Sequence, residues 1–321
     1  MMRKSTKGWL VIAASLILAG CVIFVGVMTV LKWNFAALST VKMITSKHEI
    51  SVDFSQIAVE TDTAHVLLAR SEDETCRVDC YEEEKAKHAV SVENDTLFIR
   101  IAEEKAWYDY IGINFRSPTI TVYLPKTVYM AFSLRGDTGA VTVPKDFEFE
   151  RVDLSSKTGD IAFSACASGL VKIQTNTGDI RVTNASVGAL DLTVSTGAIT
   201  ATDIRCQGDM NVKVSAGKTK LTDVTCRNLT SQGSTGNVSL TRVIAEETFS
   251  IQRSTGDVTF DGADAAEILV STDTGDVKGS LLTEKIFTVQ TDTGRVNVPQ
   301  TAIGGKCNIT TDTGDIKIQV T

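Results

Sequence analysis

The side chains in this chain that can do chemistry are mostly carboxylates, and they recur. Asp160, Asp179, Asp257, Asp276 and Asp315 each follow a glycine, while Asp273, Asp292 and Asp312 each stand two residues before one. Clustered carboxylates serve two purposes: acid–base cleavage of glycosidic bonds, and ligation of a hard cation through oxygen. Asp273, Asp292 and Asp312 fill one slot in three successive repeats, which makes them the cation candidates. Three carboxylates about 5 Å apart repel by roughly 1 kcal/mol per pair even in water. Turn hydrogen bonds, water or a cation must absorb that cost. The same acids are ordinary turn formers, and the glycine-rich calcium-roll nonapeptide is absent. Turn chemistry is the leading reading; no catalytic residue, resident metal or cofactor is assigned.

Nucleophiles and imidazoles are sparse. His48, His65 and His88 all precede the regular repeats, and no Ser/His/Asp constellation or phosphate-cradling loop is visible. Cys76 and Cys80 are too far apart in an extended strand to bridge. Cys206 and Cys226 stand at matching positions of adjacent repeats, as buried thiols or, geometrically, as a disulfide. No cysteine pair has zinc-ligand spacing with histidine support. The charge run from Glu82 to Lys87 reads as a solvated connection. Trp107, Tyr108 and Tyr110 are the candidates for a platform under sugar rings or at a membrane surface; the alternative is a flap sealing the N-terminal end. Arg135-Gly136-Asp137 spells a cell-attachment tripeptide, but the repeat register by itself accounts for it.

What positions these residues is a repeat built on Thr-Asp-Thr-Gly-Asp, complete at Thr272–Asp276 and Thr311–Asp315. Its turn glycines are Gly139, Gly159, Gly178, Gly197, Gly217, Gly236, Gly256, Gly275, Gly294 and Gly314, always 19 or 20 residues apart. Seven and five residues before each glycine, and two and four after it, the slots are apolar. Only Ser231, Thr219 and Gly279 break that pattern. Alternation with period two marks half-buried strands, and a fixed period in this range marks stacked coils. The expected fold is all-β: a β-solenoid, or single-stranded parallel β-helix, of 19–20-residue coils. The competing arrangement is an antiparallel meander with Thr-Gly hairpin loops.

Residues 9–31 form an uncharged stretch long enough to span a bilayer, and Arg3, Lys4 and Lys7 before it favour a cytoplasmic N-terminus. Residues 1–32 carry four basic groups and no acid, so a total of −7 leaves −11 on the rest. Such acidity argues against nucleic-acid binding. The chain divides into a cytoplasmic 1–8, a transmembrane helix 9–31, a stalk 32–49, irregular first coils or cap 50–131, and regular coils 132–321. An uncleaved anchor is expected, with lipoprotein processing at Cys21 as the rival. Ile57 to Leu68 already match the repeat template, with Ala64 in the glycine position. The last repeat ends at Val320-Thr321 with no capping helix, which makes the C-terminal coil the candidate edge for self-association.

The iterated Ser/Asp-Thr-Gly-Asp-Val/Ile turns behind one N-terminal apolar segment resemble a bacterial family of uncharacterised β-strand-repeat proteins labelled "putative adhesin". The resemblance covers roughly residues 50–321, with departures at Ala198, Lys218, Asn237 and Arg295, where the motif has Asp, and at Ala216 for Thr. It implies a bacterial cell-envelope protein of unknown biochemistry, sometimes associated with envelope stress. With the apolar N-terminal segment, the expected function is a non-enzymatic, membrane-anchored, extracytoplasmic interaction scaffold, whose partners would be an envelope protein, a polysaccharide or other copies of itself. The alternative is a carbohydrate-active lyase or hydrolase using the turn aspartates; the even spacing leaves little room for the loops that would wall a groove.

Overall fold

The computed structural model describes residues 4–34, 39, 41–102 and 116–321. Lys4–Val30 is a helix, and its Gly8–Val30 segment is long and apolar enough to cross a membrane, a test that a signal sequence also passes. Its side chains Leu16, Ile17, Leu18 and Val22 are exposed.

The remainder is β-structure wound as stacked coils. Each coil has a strand approaching the turn glycine and a strand leaving it, and like strands pair in parallel with the next coil. Val152, Val171, Leu190, Met210, Leu229, Phe249 and Ile268 follow one another as direct partners along the approach column. Ile161, Ile180, Ile199, Thr219, Val238, Val258 and Val277 do the same along the exit column. Nearly all of these side chains are fully buried. One coil cannot cover its own apolar face, so the ladder of identical slots is what closes the core. The meander is excluded within the repeats, where every pairing is parallel.

The turn glycines are obligatory. All ten take positive φ, between +123° at Gly236 and +158° at Gly294. A Cβ on Gly159 would overlap the carbonyl of Gly139, and one on Gly275 the carbonyl of Gly256. Both the backbone conformation and the stacking distance forbid a side chain. A second corner follows six residues later in five coils. Asn184, Asp203, Asp223 and Arg242 sit there at φ +50° to +55°, and Gly262 at +61°. Asn, Asp and Gly tolerate that left-handed region best. Arg242 is instead clamped, with Nε and Nη2 donating to the Asp223 carboxylate at 2.6 and 2.7 Å.

Both ends of the stack depart from chain order. At the far end, Gly305–Thr313 pairs with Glu267–Thr274 on one side and with Lys285–Thr293 on the other. The last coil in the sequence is therefore inserted beneath the one before it. The expected free edge at Val320-Thr321 is shared: the Gly294 coil is outermost, because the final coil has taken the slot in between, and the Gly294 coil covers the last strand only at Ile316 and Lys317. At the near end, Gln56–Thr61 lies between Thr96–Ile101 and Val128–Thr138. The coil that turns at Ala64 is thus inserted as well.

Antiparallel strands seal the near end. Met43–Ile50, almost all of it in the 32–49 segment expected to be a stalk, pairs with Cys76–Glu83, which pairs in turn with Thr119–Leu124. Asn94 and Asp95, at φ +48° and +64°, turn His88–Glu93 back along Thr96–Ile101 as a hairpin. Phe54, Tyr129, Phe149 and Phe132 fill the corner, with centroids 5.7 to 6.1 Å apart.

Candidate functional site

The recurring motif turns out to be stacking chemistry. The first Thr of Thr-Asp-Thr-Gly-Asp points inward, and its hydroxyl donates to a turn-glycine carbonyl of the neighbouring coil: Thr175 to Gly159, Thr272 to Gly256, Thr311 to Gly275. The Asp after the glycine accepts the N–H at the same position of the next coil. Asp160 receives Asp179, Asp179 receives Ala198, and Asp257 receives Asp276, at 2.9 to 3.0 Å. Asn237 replaces Asp in that role towards Asp257. Asp315 takes the Arg295 N–H at 2.8 Å and its guanidinium at 2.9 Å. These bonds hold the Asp315 carboxyl below the usual range. Carboxylates so engaged satisfy backbone donors that otherwise lack partners.

Asp273, Asp312 and Asp292 lie exposed in one row, in that spatial order because of the inserted coil. Trp107, Tyr108 and Tyr110 fall outside the described residues. Asp137 of the Arg-Gly-Asp tripeptide is tied at 2.7 Å to Lys157, its counterpart one coil on. Both line a polar groove of about 900 Å³ with Arg100, Arg135 and Lys172. All seven cysteines are free thiols; Cys206 and Cys226 are buried neighbours, and burial pushes the Cys226 thiol up to about 12.

Three arrangements escape the sequence pattern. In the core, Arg253 is 2% exposed, and its Nη2 donates to both Thr219 and Ser231 at 3.0 Å. Those are two of the three breaks in the apolar slots, and the guanidinium explains both. At the near end, Glu82 is 1% exposed, so it does not belong to a solvated run. It faces inward with Cys80, and His88 from the neighbouring hairpin closes on it. Strand alternation from Val78 was the available signal, but the Glu and Lys residues after it masked that signal.

The third arrangement is the far rim. Val296 and Asn297 pair with Ile316 and Lys317, and the strand ends there, before Pro299. Ile318 to Val320 therefore have no strand on that side, and a groove of about 570 Å³ opens between Val298, Pro299, Gly279 and Ile318. Phe287 and Val289 are only partly covered, and Ile286, Val296 and Ile303 are exposed.

Parallel columns wound from near-identical turns, with a carboxylate ladder spent on backbone bonds, define a repeat scaffold of the β-solenoid class. The chain belongs to the Toastrack DUF4097 family, whose model matches residues 54–210 and again 200–321. Similar solved structures include one from Parabacteroides distasonis ATCC 8503 described as a "putative lipid binding protein". It is 12% identical, covers 86% of this chain and 97% of its own, and has a TM-score of 0.49. A "putative adhesin" from the same organism is 10% identical over 85% and 98%, TM-score 0.47. Another from Bacteroides fragilis NCTC 9343 is 17% identical over 87% and 97%, TM-score 0.41. Comparison with curated proteins gave no match.

Proposed function

We propose that the chain is a non-enzymatic interaction module, anchored in the bacterial cell membrane by its N-terminal helix, with the coils outside. The observation that carries this reading is the asymmetry of the two ends. The near end, which the chain enters from the helix, is closed by antiparallel strands. The far rim keeps core side chains half-covered and leaves strand edge unpaired. An open edge beside an apolar groove accepts an added strand, with main-chain bonds for affinity and alternate side chains for selectivity.

The occupant that matches the ladder is a second copy of the chain, rim against rim, because its rim offers the same slots. Two anchored copies meeting in that way join opposing membranes. The test uses the full chain reconstituted into vesicles of two colours. Bridging between colours is expected, and its loss in Ile286→Lys/Val296→Lys, which alters only exposed side chains. Vesicles that stay separate, with a detergent-solubilised chain that sediments only as monomer, would remove the reading.

A further inference from the structure

We propose that Cys80, Glu82 and His88 form a site for a borderline transition-metal dication, Zn²⁺ or its surrogate Co²⁺, at the sealed end of the rod. Among the described residues this is the one trio of His, Cys, Asp or Glu whose ligand atoms all lie within 4.8 Å of one another. The three are 0%, 1% and 8% exposed. A soft thiolate, an imidazole and a carboxylate are the donor set that Zn²⁺ takes, at about 2.0–2.3 Å. Ligand atoms that lie within 4.8 Å of one another are close enough to converge on one ion.

Two features go beyond what a purely structural hydrogen-bond network requires. Glu82 and His88 are already satisfied as a pair: His88 N and Nδ1 both reach Glu82 Oε2, at 2.7 and 2.9 Å, and Ser46 donates to Oε1 at 2.7 Å. That network leaves out the Cys80 thiol, buried beside it with no hydrogen bond among the described residues. A bound dication would hold such a thiol as the thiolate. The second feature is His48, whose Nε2 is buried without a partner. In the same sheet Ser46 lies opposite Cys80 and His48 opposite Val78, so His48 shares their face two pairs along, outside the present 4.8 Å group. It is the candidate for the fourth position.

Proton accounting is simple. Metal at Nδ1 moves the imidazole proton to Nε2, where the Thr61 hydroxyl, 3.1 Å away, changes from donor to acceptor. The Cys80 proton is released, one per metal bound. Thr61 and Ser46 then hold the ligands from behind, as outer partners in metal sites do.

Because the site is buried, metal must enter as the chain folds. The full chain is therefore produced in medium supplemented with Zn²⁺ or Co²⁺, purified in detergent and assayed for metal content. About one metal per chain is expected, with a thiolate-to-cobalt charge-transfer band in the Co²⁺ form. Cys80→Ser should abolish the band and Cys76→Ser should keep it. X-ray absorption of the unaltered Zn²⁺ chain should show one sulfur ligand, which keeps the test open if the Cys80 variant fails to fold. A chain isolated without metal, a shell of nitrogen and oxygen only, or a band that survives Cys80→Ser would overturn the proposal.

Discussion

Gly233 stands directly opposite Arg253 in the next coil, and the Arg253 guanidinium fills the space that a side chain at 233 would need. One missing Cβ, two hydroxyls and a cation thus make a single polar cell inside an apolar ladder. Nε and Nη1 of Arg253 have no partner, and burial pushes the guanidinium down to about 10. A buried charge of this kind costs stability, and removing its acceptors costs more. Ser231→Ala should therefore destabilise the chain by about 1–3 kcal/mol, while the same change in an Arg253→Met background should cost close to nothing. Chemical denaturation of the four variants checks this; additive effects would refute the cell.

Gly275→Ala should destabilise by about 3 kcal/mol or more, since its φ of +156° and the Gly256 carbonyl both exclude a methyl. Ala64→Gly, at the coil whose turn is not left-handed, should cost about 1 kcal/mol or less. Thermal unfolding of the two variants gives the comparison.

The inserted final coil makes a direct chemical prediction. Ser271 is the Cα partner of Thr310, and Gln290 pairs with Thr310 on the opposite side. Ser271→Cys/Thr310→Cys should form a disulfide on mild oxidation, and Ser271→Cys/Gln290→Cys should not. Peptide mapping by mass spectrometry distinguishes this order from coils stacked in chain sequence, which reverses the result.

Asp73 accepts bonds from the Ser71 and Thr75 hydroxyls and the Thr75 N–H, which lower its pKa to about 2. A carboxyl depressed in the folded chain supports the fold above its unfolded pKa and loses that support as pH falls through its folded value. The loop from Ser71 to Thr75 should therefore stay ordered well below pH 4. Ser71→Ala with Thr75→Ala should move the midpoint upward. Carboxyl-carbon NMR titration reads both.

Much of the fold can be read from the sequence because stacking imposes one rule on every coil. Glycine at each turn and four apolar slots beside it identify the ladder without coordinates, and Ala64 could be placed by the same rule. The breaks at Ser231 and Thr219 were visible but not interpretable, since their explanation, Arg253, lies in the next coil at a slot usually held by Thr, Val or Ser. The inserted coils left no local trace. Phe287 and Cys307, or Val289 and Ile309, satisfy the same slots, so the spacing fits either order. The Cys80, Glu82 and His88 cluster was hidden for a different reason: Glu82 opens a run of charges, and His88 is folded back onto it by the turn between Glu83 and Ala86, inside that same run.

The interchange of the last two coils also limits how such a rod changes length over evolutionary time. A tandem duplication at either tip would have to recreate a strand that threads back under its predecessor, whereas a duplication among the Gly159 to Gly256 coils needs only the same neighbours it had before. New length should thus arise in the middle, with the interleaved coils at both ends inherited unchanged.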